Sequence, residues 1–215
     1  MLSEVKNKIR KAAKTVGRDP NQVELIAVSK QQPEARIDSA LEAGLRIFGE
    51  NRVQEAQQRW LSRRAHYPDL ELHLIGPLQS NKAGDAVALF DIIHTLDRPK
   101  IAKVVKQEMD KQNRQLTCFI QVNTGEEPQK AGVTPAEAAD FLAYCHTDIG
   151  LNICGLMCIP PIGEEAAMHF ALLKNLADRL ALPQLSMGMS GDFEEAIRFG
   201  ATHIRLGSVL FGSRL

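Results

Sequence analysis

The sequence predicts an α/β protein, and within that class a single (β/α)8 barrel, the TIM-barrel architecture. Eight short apolar runs have the length of strands, and helix-like stretches lie between them. Alternating strands and helices favour a parallel sheet, and eight strands are the number that closes such a sheet into a barrel. No change in composition and no low-complexity linker divides the chain, so residues 1–215 are predicted to form one domain.

An additional helix precedes the first strand in this prediction. Its apolar residues recur at helical spacing, and the charged residues fall between them. These apolar residues are Leu2, Val5, Ile9, Ala12 and Val16. Gly17 and Pro20 mark the end of the helix, because neither residue favours its continuation.

Strands and helices then alternate along the rest of the chain. The predicted strands occupy residues 25–30, 46–50, 71–76, 91–96, 118–123, 151–159, 184–189 and 202–207. The predicted helices occupy residues 34–43, 51–65, 79–89, 99–112, 135–147, 164–182 and 191–199. A doubly wound open sheet is the alternative, but no GxGxxG motif follows the first strand and no GxxxxGK[ST] motif occurs.

Composition excludes several classes of partner. Twenty-six basic and 26 acidic residues give a formal net charge of zero, so no whole-chain field favours nucleic acid or an anionic membrane. The four cysteines form no CxxC pair and the six histidines form no HxxxH pair, so no metal site is predicted and free thiols are expected. The N-terminus lacks the apolar core of a signal peptide, and no segment is apolar enough to span a bilayer, which predicts a cytoplasmic protein.

In a barrel, the functional residues are those at the carboxyl ends of the strands. The first predicted strand ends in Lys30, and alternation from Ile26 through Val28 would direct the Lys30 amine into the mouth of the barrel. Arg205 ends the last strand. A lysine at the end of a strand is most often a solvated loop residue, but a desolvated amine near an arginine is a usable nucleophile.

The loops after the seventh and eighth strands suggest a phosphate site. They contain Ser190-Gly191 and Gly207-Ser208, whose backbone N–H groups and hydroxyls can donate to an anion at the position where barrels often bind phosphate. The negative charge of Asp192 disfavours an anion at this position, and either serine alone could be only a helix cap or a turn residue. A lysine, an arginine and two such loops together predict a phosphorylated carbonyl compound held as a Schiff base, a description that pyridoxal phosphate (PLP) fits.

Long motifs in nearly the whole chain resemble those of the pyridoxal phosphate homeostasis protein family. They are LIAVSK (25–30), FGENRVQE (48–55), HLIGPLQSNK (73–82), VNTGEEPQKAG (122–132), GLM (155–157), LSMGMSGDFEEAI (185–197) and RLGSVLFGSR (205–214). The resemblance implies a fold-type III PLP-binding barrel, like the N-terminal domain of alanine racemase. Three residues depart from the family pattern: Arg52 and Leu72 stand where aromatic residues are usual, and Ser208 stands where threonine is usual.

The resemblance also implies a role for each site residue. Lys30 would carry PLP as a Schiff base and Arg205 would face the pyridine nitrogen. The phosphate would be held by Ser190, Gly207 and Ser208, and the residues near the ring would be Asn51 and Met189. Lys82 and Lys130 also lie in family motifs, and are interpreted either as solvated loop lysines or as part of a second exchange site.

The predicted function is non-catalytic: binding, buffering and delivery of PLP by a monomer, with apo PLP-dependent enzymes as recipients. A racemase of this type needs a second base, a tyrosine, on the opposite face of the substrate, whereas Tyr67 and Tyr144 lie outside the predicted strand ends. A weak fold-type III racemase and a lysine-dependent sugar-phosphate aldolase are the alternatives. Exchange of the amino-acid α-proton would distinguish the first, and a colourless purified protein would indicate the second.

Overall fold

The structure, a computed structural model, describes residues 2–212. Within that range eight parallel strands form one closed barrel in sequence order, with β8 pairing back onto β1. The strands are β1 (Glu24–Val28), β2 (Ile47–Glu50), β3 (Glu71–Leu74), β4 (Ile92–Leu96), β5 (Thr117–Gln121), β6 (Ile153–Met157), β7 (Gln184–Met189) and β8 (His203–Leu206). The predicted fold class is therefore confirmed.

Helices surround the barrel in the described range. They are α1 (Leu2–Thr15), α2 (Glu34–Glu42), α3 (Val53–His66), α4 (Ala83–Leu89), α5 (Pro99–Lys111), α6 (Ala138–Ala143), α7 (Ala166–Arg179), α8 (Phe193–Arg198) and α9 (Ser208–Phe211). Short 3-10 turns occur at Pro20–Gln22 and Ser80–Lys82. No described helix has the length and apolar character that crossing a bilayer requires.

The predicted elements are all present, but their ends differ. The predicted N-terminal helix is α1, which buries Val5, Ile9 and the Ala12–Ala13 pair. The predicted helix 135–147 is divided, because α6 passes into a π-helical turn at Tyr144–Asp148. The short helix α9 was not predicted, since four residues are too few to show a periodic pattern.

The end of β1 differs in a way that affects the site. The predicted strand includes Lys30, whereas β1 ends at Val28 and Lys30 lies in the turn that follows. The backbone turns there because Gln32 N–H donates to the Ser29 carbonyl and Gln31 adopts a left-handed φ of 57°. Lys30 is thus a loop residue at the carboxyl end of β1.

Side chains of the strands separate into two buried layers. Outward-facing residues pack under the helices, as where the Phe48 and Trp60 rings lie 4.6 Å apart between β2 and α3. Inward-facing residues include His73, His94 and Arg205, all buried. Because TIM barrels are usually filled with branched aliphatic residues, this interior is unusually polar.

The close approach of β6 and β7 supplies a test of the barrel packing. A Cβ at Gly155 would lie 2.1 Å from the Gln184 carbonyl oxygen, whereas a Cβ at Gly84 would meet only the flexible end of Glu108 at 3.0 Å. We expect Gly155→Ala to lower the free energy of unfolding by about 1–3 kcal/mol. The control Gly84→Ala should not lower it, because Gly84 lies in α4 and alanine favours a helix over glycine. Urea denaturation measures both values, and equal effects would contradict the packing described for β6 and β7.

Candidate functional site

The residues predicted for the site lie at or just after the carboxyl ends of four neighbouring strands, β7, β8, β1 and β2. Arg205 of β8 is in register with Met189 of β7 on one side and with Ile26 of β1 on the other. Ser190 and Lys30 lie in the turns after β7 and β1, and Ser208 begins α9 after β8. The closed barrel therefore brings together segments that are separated by up to about 180 residues in the sequence.

Gly207 lies beside the end of β1. A Cβ at this position would be 3.4 Å from the Val28 carbonyl oxygen, at the near limit of an ordinary van der Waals contact. In the neighbouring loop, a Cβ at Gly191 would meet nothing within 4 Å. The loop after β8 thus packs against β1, the strand that leads to Lys30, whereas the loop after β7 has free space around Gly191.

Arg205 is the buried cation of this end of the barrel. Its residue exposure is 4%, and its guanidinium donates from Nη1 to Ser186 Oγ (2.7 Å) and from Nη2 to the Cys158 carbonyl (2.8 Å). Burial lowers the pKa of Arg205, while the nearby Cys158 and Asp192 act in the opposite direction. A guanidinium keeps its proton in proteins, so the charge remains and needs these acceptors.

A line of hydrogen bonds runs from Arg205 through the interior of the barrel. His94 Nδ1 lies 2.8 Å from Ser186 Oγ, and His94 Nε2 lies 2.8 Å from His73 Nδ1. His73 Nε2 then lies 2.6 Å from Glu71 Oε1 at the amino end of β3. We call Glu71, His73, His94, Ser186 and Arg205 the interior network.

The carboxylate end of the interior network sets the direction of its hydrogen bonds. A guanidinium only donates and an ionised carboxylate only accepts. Burial places the pKa of His94 well below its usual value, and the nearby His73, His203 and Arg205 lower it further. With neutral imidazoles, Ser186 donates to His94, His94 to His73 and His73 to Glu71, so every member has a partner of the right kind.

A second polar group lies under Lys30, on the outside of the barrel. Buried Glu50 accepts at Oε1 from Ser29 Oγ (2.6 Å), Arg59 Nη1 (2.8 Å) and Trp60 Nε1 (3.0 Å). Arg59 also donates to the Ser29 carbonyl at 2.9 Å. Burial works to lower the pKa of Arg59, but hydrogen bonds and charges from Glu50 and Glu34 raise it overall. These contacts hold the residue that immediately precedes Lys30.

The structure also shows the hydrogen bonding of two further predicted residues, Asn51 and Met189, and of the neighbouring Asp192. Asn51 Oδ1 is buried and has no hydrogen-bond partner. Met189 is exposed, and its N–H donates to Asp192 Oδ1 at 2.6 Å. That oxygen of Asp192 therefore points back into its own loop, and the charge of the carboxylate acts on nearby Arg205.

Other residues singled out in the sequence lie apart from these four strands. Lys82 pairs with Asp85 at 3.7 Å in the segment after β3, and Lys130 pairs with Glu127 at 2.5 Å in the loop after β5. Leu72 faces outward and is fully buried, so position 72 does not line the barrel interior. Arg52 is exposed and pairs with Glu55.

Sequence reasoning missed the interior network and the role of Glu50. The signal that could have found the network is a histidine or serine within each of the strand runs 71–76, 91–96 and 184–189. A polar residue in the middle of a buried strand needs a partner, and strand alternation directs these three to the same side of the sheet. Glu50 is likewise a polar residue within an apolar run, at the end of β2.

These features define a (β/α)8-barrel protein whose carboxyl end carries a polar, partly solvent-accessible site. The sequence pattern of the family described as "Alanine racemase, N-terminal domain" matches residues 1–215. Proteins named "Pyridoxal phosphate homeostasis protein" are 42% identical over 99% of this chain in Pseudomonas aeruginosa and 37% identical over 99% in Escherichia coli K12. The matches cover 94% and 95% of those two proteins. The chain therefore belongs to the family of pyridoxal phosphate homeostasis proteins.

Solved structures of a relative support the same family. PipY of Synechococcus elongatus without PLP is 40% identical with a TM-score of 0.84, and the match covers 95% of this chain and 99% of PipY. PipY with PLP bound is 39% identical with a TM-score of 0.81, covering 95% and 100%. Alanine racemase of Clostridium difficile is only 12% identical with a TM-score of 0.71, covering 97% of this chain and 56% of the racemase, and shares the fold.

Glu50 allows a direct test of the support under Lys30. Glu50→Gln keeps the shape of the side chain but removes the charge that partners the partly buried Arg59. We expect the free energy of unfolding to fall by about 2 kcal/mol or more, because a hydrogen-bonded ion pair with a buried carboxylate is broken. The control Glu55→Gln removes an exposed pair with Arg52 and should cost less than about 0.5 kcal/mol. Denaturant titration distinguishes them, and a stable Glu50→Gln protein would refute the supporting role.

Proposed function

We propose that this protein binds PLP and serves in PLP homeostasis by holding, buffering and releasing the cofactor. The observation that carries the proposal is the likeness over 95% of the chain to PipY with PLP bound. The names of the curated relatives support the same function. PLP supplies an aldehyde that condenses reversibly with primary amines.

The residues at the carboxyl ends of β7, β8, β1 and β2 fit this cofactor. Lys30 provides the amine, and the contacts of Glu50 with Ser29 fix the backbone just before it. Arg205 provides a fixed cation for the pyridine nitrogen, because Ser186 and Cys158 hold its guanidinium. Asn51 offers a buried oxygen without a partner, which a ring substituent could satisfy, and exposed Met189 would cover the ring.

The phosphate would lie between the loops after β7 and β8. Ser190, Gly207 and Ser208 are all at least partly exposed, so hydroxyl and backbone N–H donors are within reach of an anion from solvent. The helices α8 and α9 that follow have only six and four residues. Their dipoles are correspondingly small, so we assign the binding to the hydroxyls and loop N–H groups.

The protein is proposed to act without turnover. The tyrosines of the chain are Tyr67, which lies under Arg46 (4.9 Å) before β3, and Tyr144, which stacks on Phe141 in the outer helices. Neither is positioned as a second base at the carboxyl end of the barrel. A permanent cation beside the pyridine nitrogen also disfavours ring protonation and weakens the ring as an electron sink. Amino-acid α-deuterium exchange at enzyme-like rates would contradict this part of the proposal.

Recipient enzymes, oligomeric state and location complete the proposal. We propose that residues 1–215 act as one domain and as a monomer, since β7, β8, β1 and β2 of one chain supply all the candidate site residues. Recipients would be apo PLP-dependent enzymes, activated faster by the loaded protein than by scavenger-limited free PLP. Four free cysteines accord with a reducing compartment such as the cytoplasm.

Lys30 is the residue we expect to carry the cofactor. Borohydride reduction of the PLP-loaded protein, followed by peptide mapping, should place the pyridoxyl mass on the peptide that contains Lys30. Lys30→Ala should abolish this adduct, whereas the matched variant Lys82→Ala should retain it. An adduct on Lys82 alone in the native protein would refute the assignment.

The two serines should distinguish phosphorylated from unphosphorylated ligand. Replacing Ser190 and Ser208 with alanine removes two donors to a dianion, each worth about 1.5–3 kcal/mol, so PLP affinity should fall by at least about a hundredfold. Affinity for pyridoxal, which lacks the phosphate, should change by less than about threefold. Ser80→Ala, in the loop after β3, serves as the control. Equal losses for the two ligands would show that these loops do not bind the phosphate.

A further inference from the structure

A group of carboxylates and imidazoles lies at the opposite end of the barrel, where the strands begin. Glu24 starts β1, Glu71 starts β3, and His203 starts β8. One ligating atom from each of Glu24, Glu71 and His73 lies within 4.8 Å of the other two. We call Glu24, Glu71, His73 and His203 the floor cluster.

Each carboxylate of the floor cluster is paired with an imidazole. His73 Nε2 lies 2.6 Å from Glu71 Oε1, and His203 Nε2 lies 3.1 Å from Glu24 Oε1. The second contact lacks hydrogen-bond alignment, so Glu24 Oε1 is buried without a hydrogen-bond partner. The cluster thus contains two converging carboxylates, one of which has a buried oxygen without a well-aligned hydrogen bond.

The burial of the floor cluster suits a bound ion with an entry path. His73 is fully buried and His203 is 6% exposed, whereas the side chains of Glu24 and Glu71 are 34% and 39% exposed. Neighbouring elements hold the imidazoles, because Thr202 Oγ1 lies 2.8 Å from His203 Nδ1 and His94 contacts His73 Nδ1. The Nε2 atoms of both rings therefore face the carboxylates, as second contacts orient metal-binding histidines elsewhere.

The donor set also selects the type of ion. Imidazole nitrogen with carboxylate oxygen is the ligand combination of zinc and similar divalent transition metals, whereas magnesium and calcium prefer oxygen alone. Ligand atoms around tetrahedral zinc are about 3.4 Å apart, so a pair at the 4.8 Å limit of this group would have to close by roughly 1.4 Å. Rotation of the partly exposed glutamate side chains can supply this movement.

We propose that Glu24, Glu71 and His73 form a zinc-type divalent metal site at the amino end of the barrel. His203 Nε2, 3.1 Å from Glu24 Oε1, would orient that carboxylate. Binding at His73 Nε2 requires the ring hydrogen to be on Nδ1, which then donates to His94 Nε2. His94 in turn donates from Nδ1 to Ser186 Oγ, an oxygen that can accept from both His94 and Arg205. The interior network therefore accommodates the metal by a change of tautomers, without loss of a hydrogen bond to Arg205.

The test is calorimetric titration of Zn²⁺ into the full-length, PLP-loaded protein after treatment with a chelator. We expect one site per chain, and we expect Glu24→Gln and Glu71→Gln each to weaken it by about a hundredfold or more, as loss of a charged ligand should exceed the effect of an outer contact. The control is Glu164→Gln, because Glu164 pairs with buried His169 at 3.1 Å but has no second carboxylate in that pair. Its Zn²⁺ affinity should equal that of the native protein.

Two results would overturn the proposal. One is no saturable Zn²⁺ binding by the native chain; the other is binding that Glu24→Gln and Glu71→Gln leave unchanged, which would place zinc elsewhere, for example on a cysteine. Circular dichroism and PLP binding at the far end of the barrel establish that each variant is folded. Since the site does not include Lys30 or the phosphate loops, its failure would leave the proposed function untouched.

Discussion

The buried charge of Arg205 is the constraint on which the rest of the site depends. A guanidinium inside a barrel is costly unless acceptors are already in place, and here Ser186 Oγ and the Cys158 carbonyl accept its hydrogen bonds. Ser186 also contacts His94 Nδ1 at 2.8 Å, which links the cation to the histidines of the interior network. The polar interior of the barrel therefore follows from one cation at its carboxyl end.

A separate group of polar side chains holds the loop that contains Lys30 in place. Glu50 ties the end of β1 to α3 through Ser29, Arg59 and Trp60. Lys30 and Arg205 are thus held from opposite sides of the sheet, one by contacts outside the barrel and the other by contacts inside it. A binding site supported in this way is formed before its ligand arrives, which lowers the cost of ordering on binding.

The sequence predicted the fold correctly, but it did not predict the contacts that hold the candidate site residues in place. Eight apolar runs of strand length were enough to predict the barrel. Lys30 and Arg205 could be assigned to its carboxyl end because the sequence indicates approximately where each strand ends. The contacts among His73, His94 and Ser186 could not be predicted, because these residues are distant in the sequence and meet only when the barrel closes. The end of β1 was misplaced by two residues because local turn contacts, rather than hydrophobicity, decide where the strand stops.

In the proposed function, Arg205 would face the pyridine nitrogen, and this contact would let the barrel carry PLP without catalysing its reactions. A guanidinium at that position would leave the nitrogen unprotonated, which would weaken the ring as an electron sink. The most direct measurement is the ¹⁵N chemical shift of ¹⁵N-labelled PLP bound to the protein at neutral pH. We expect the shift of an unprotonated pyridine, and the shift of a pyridinium ion would contradict the proposed role of Arg205.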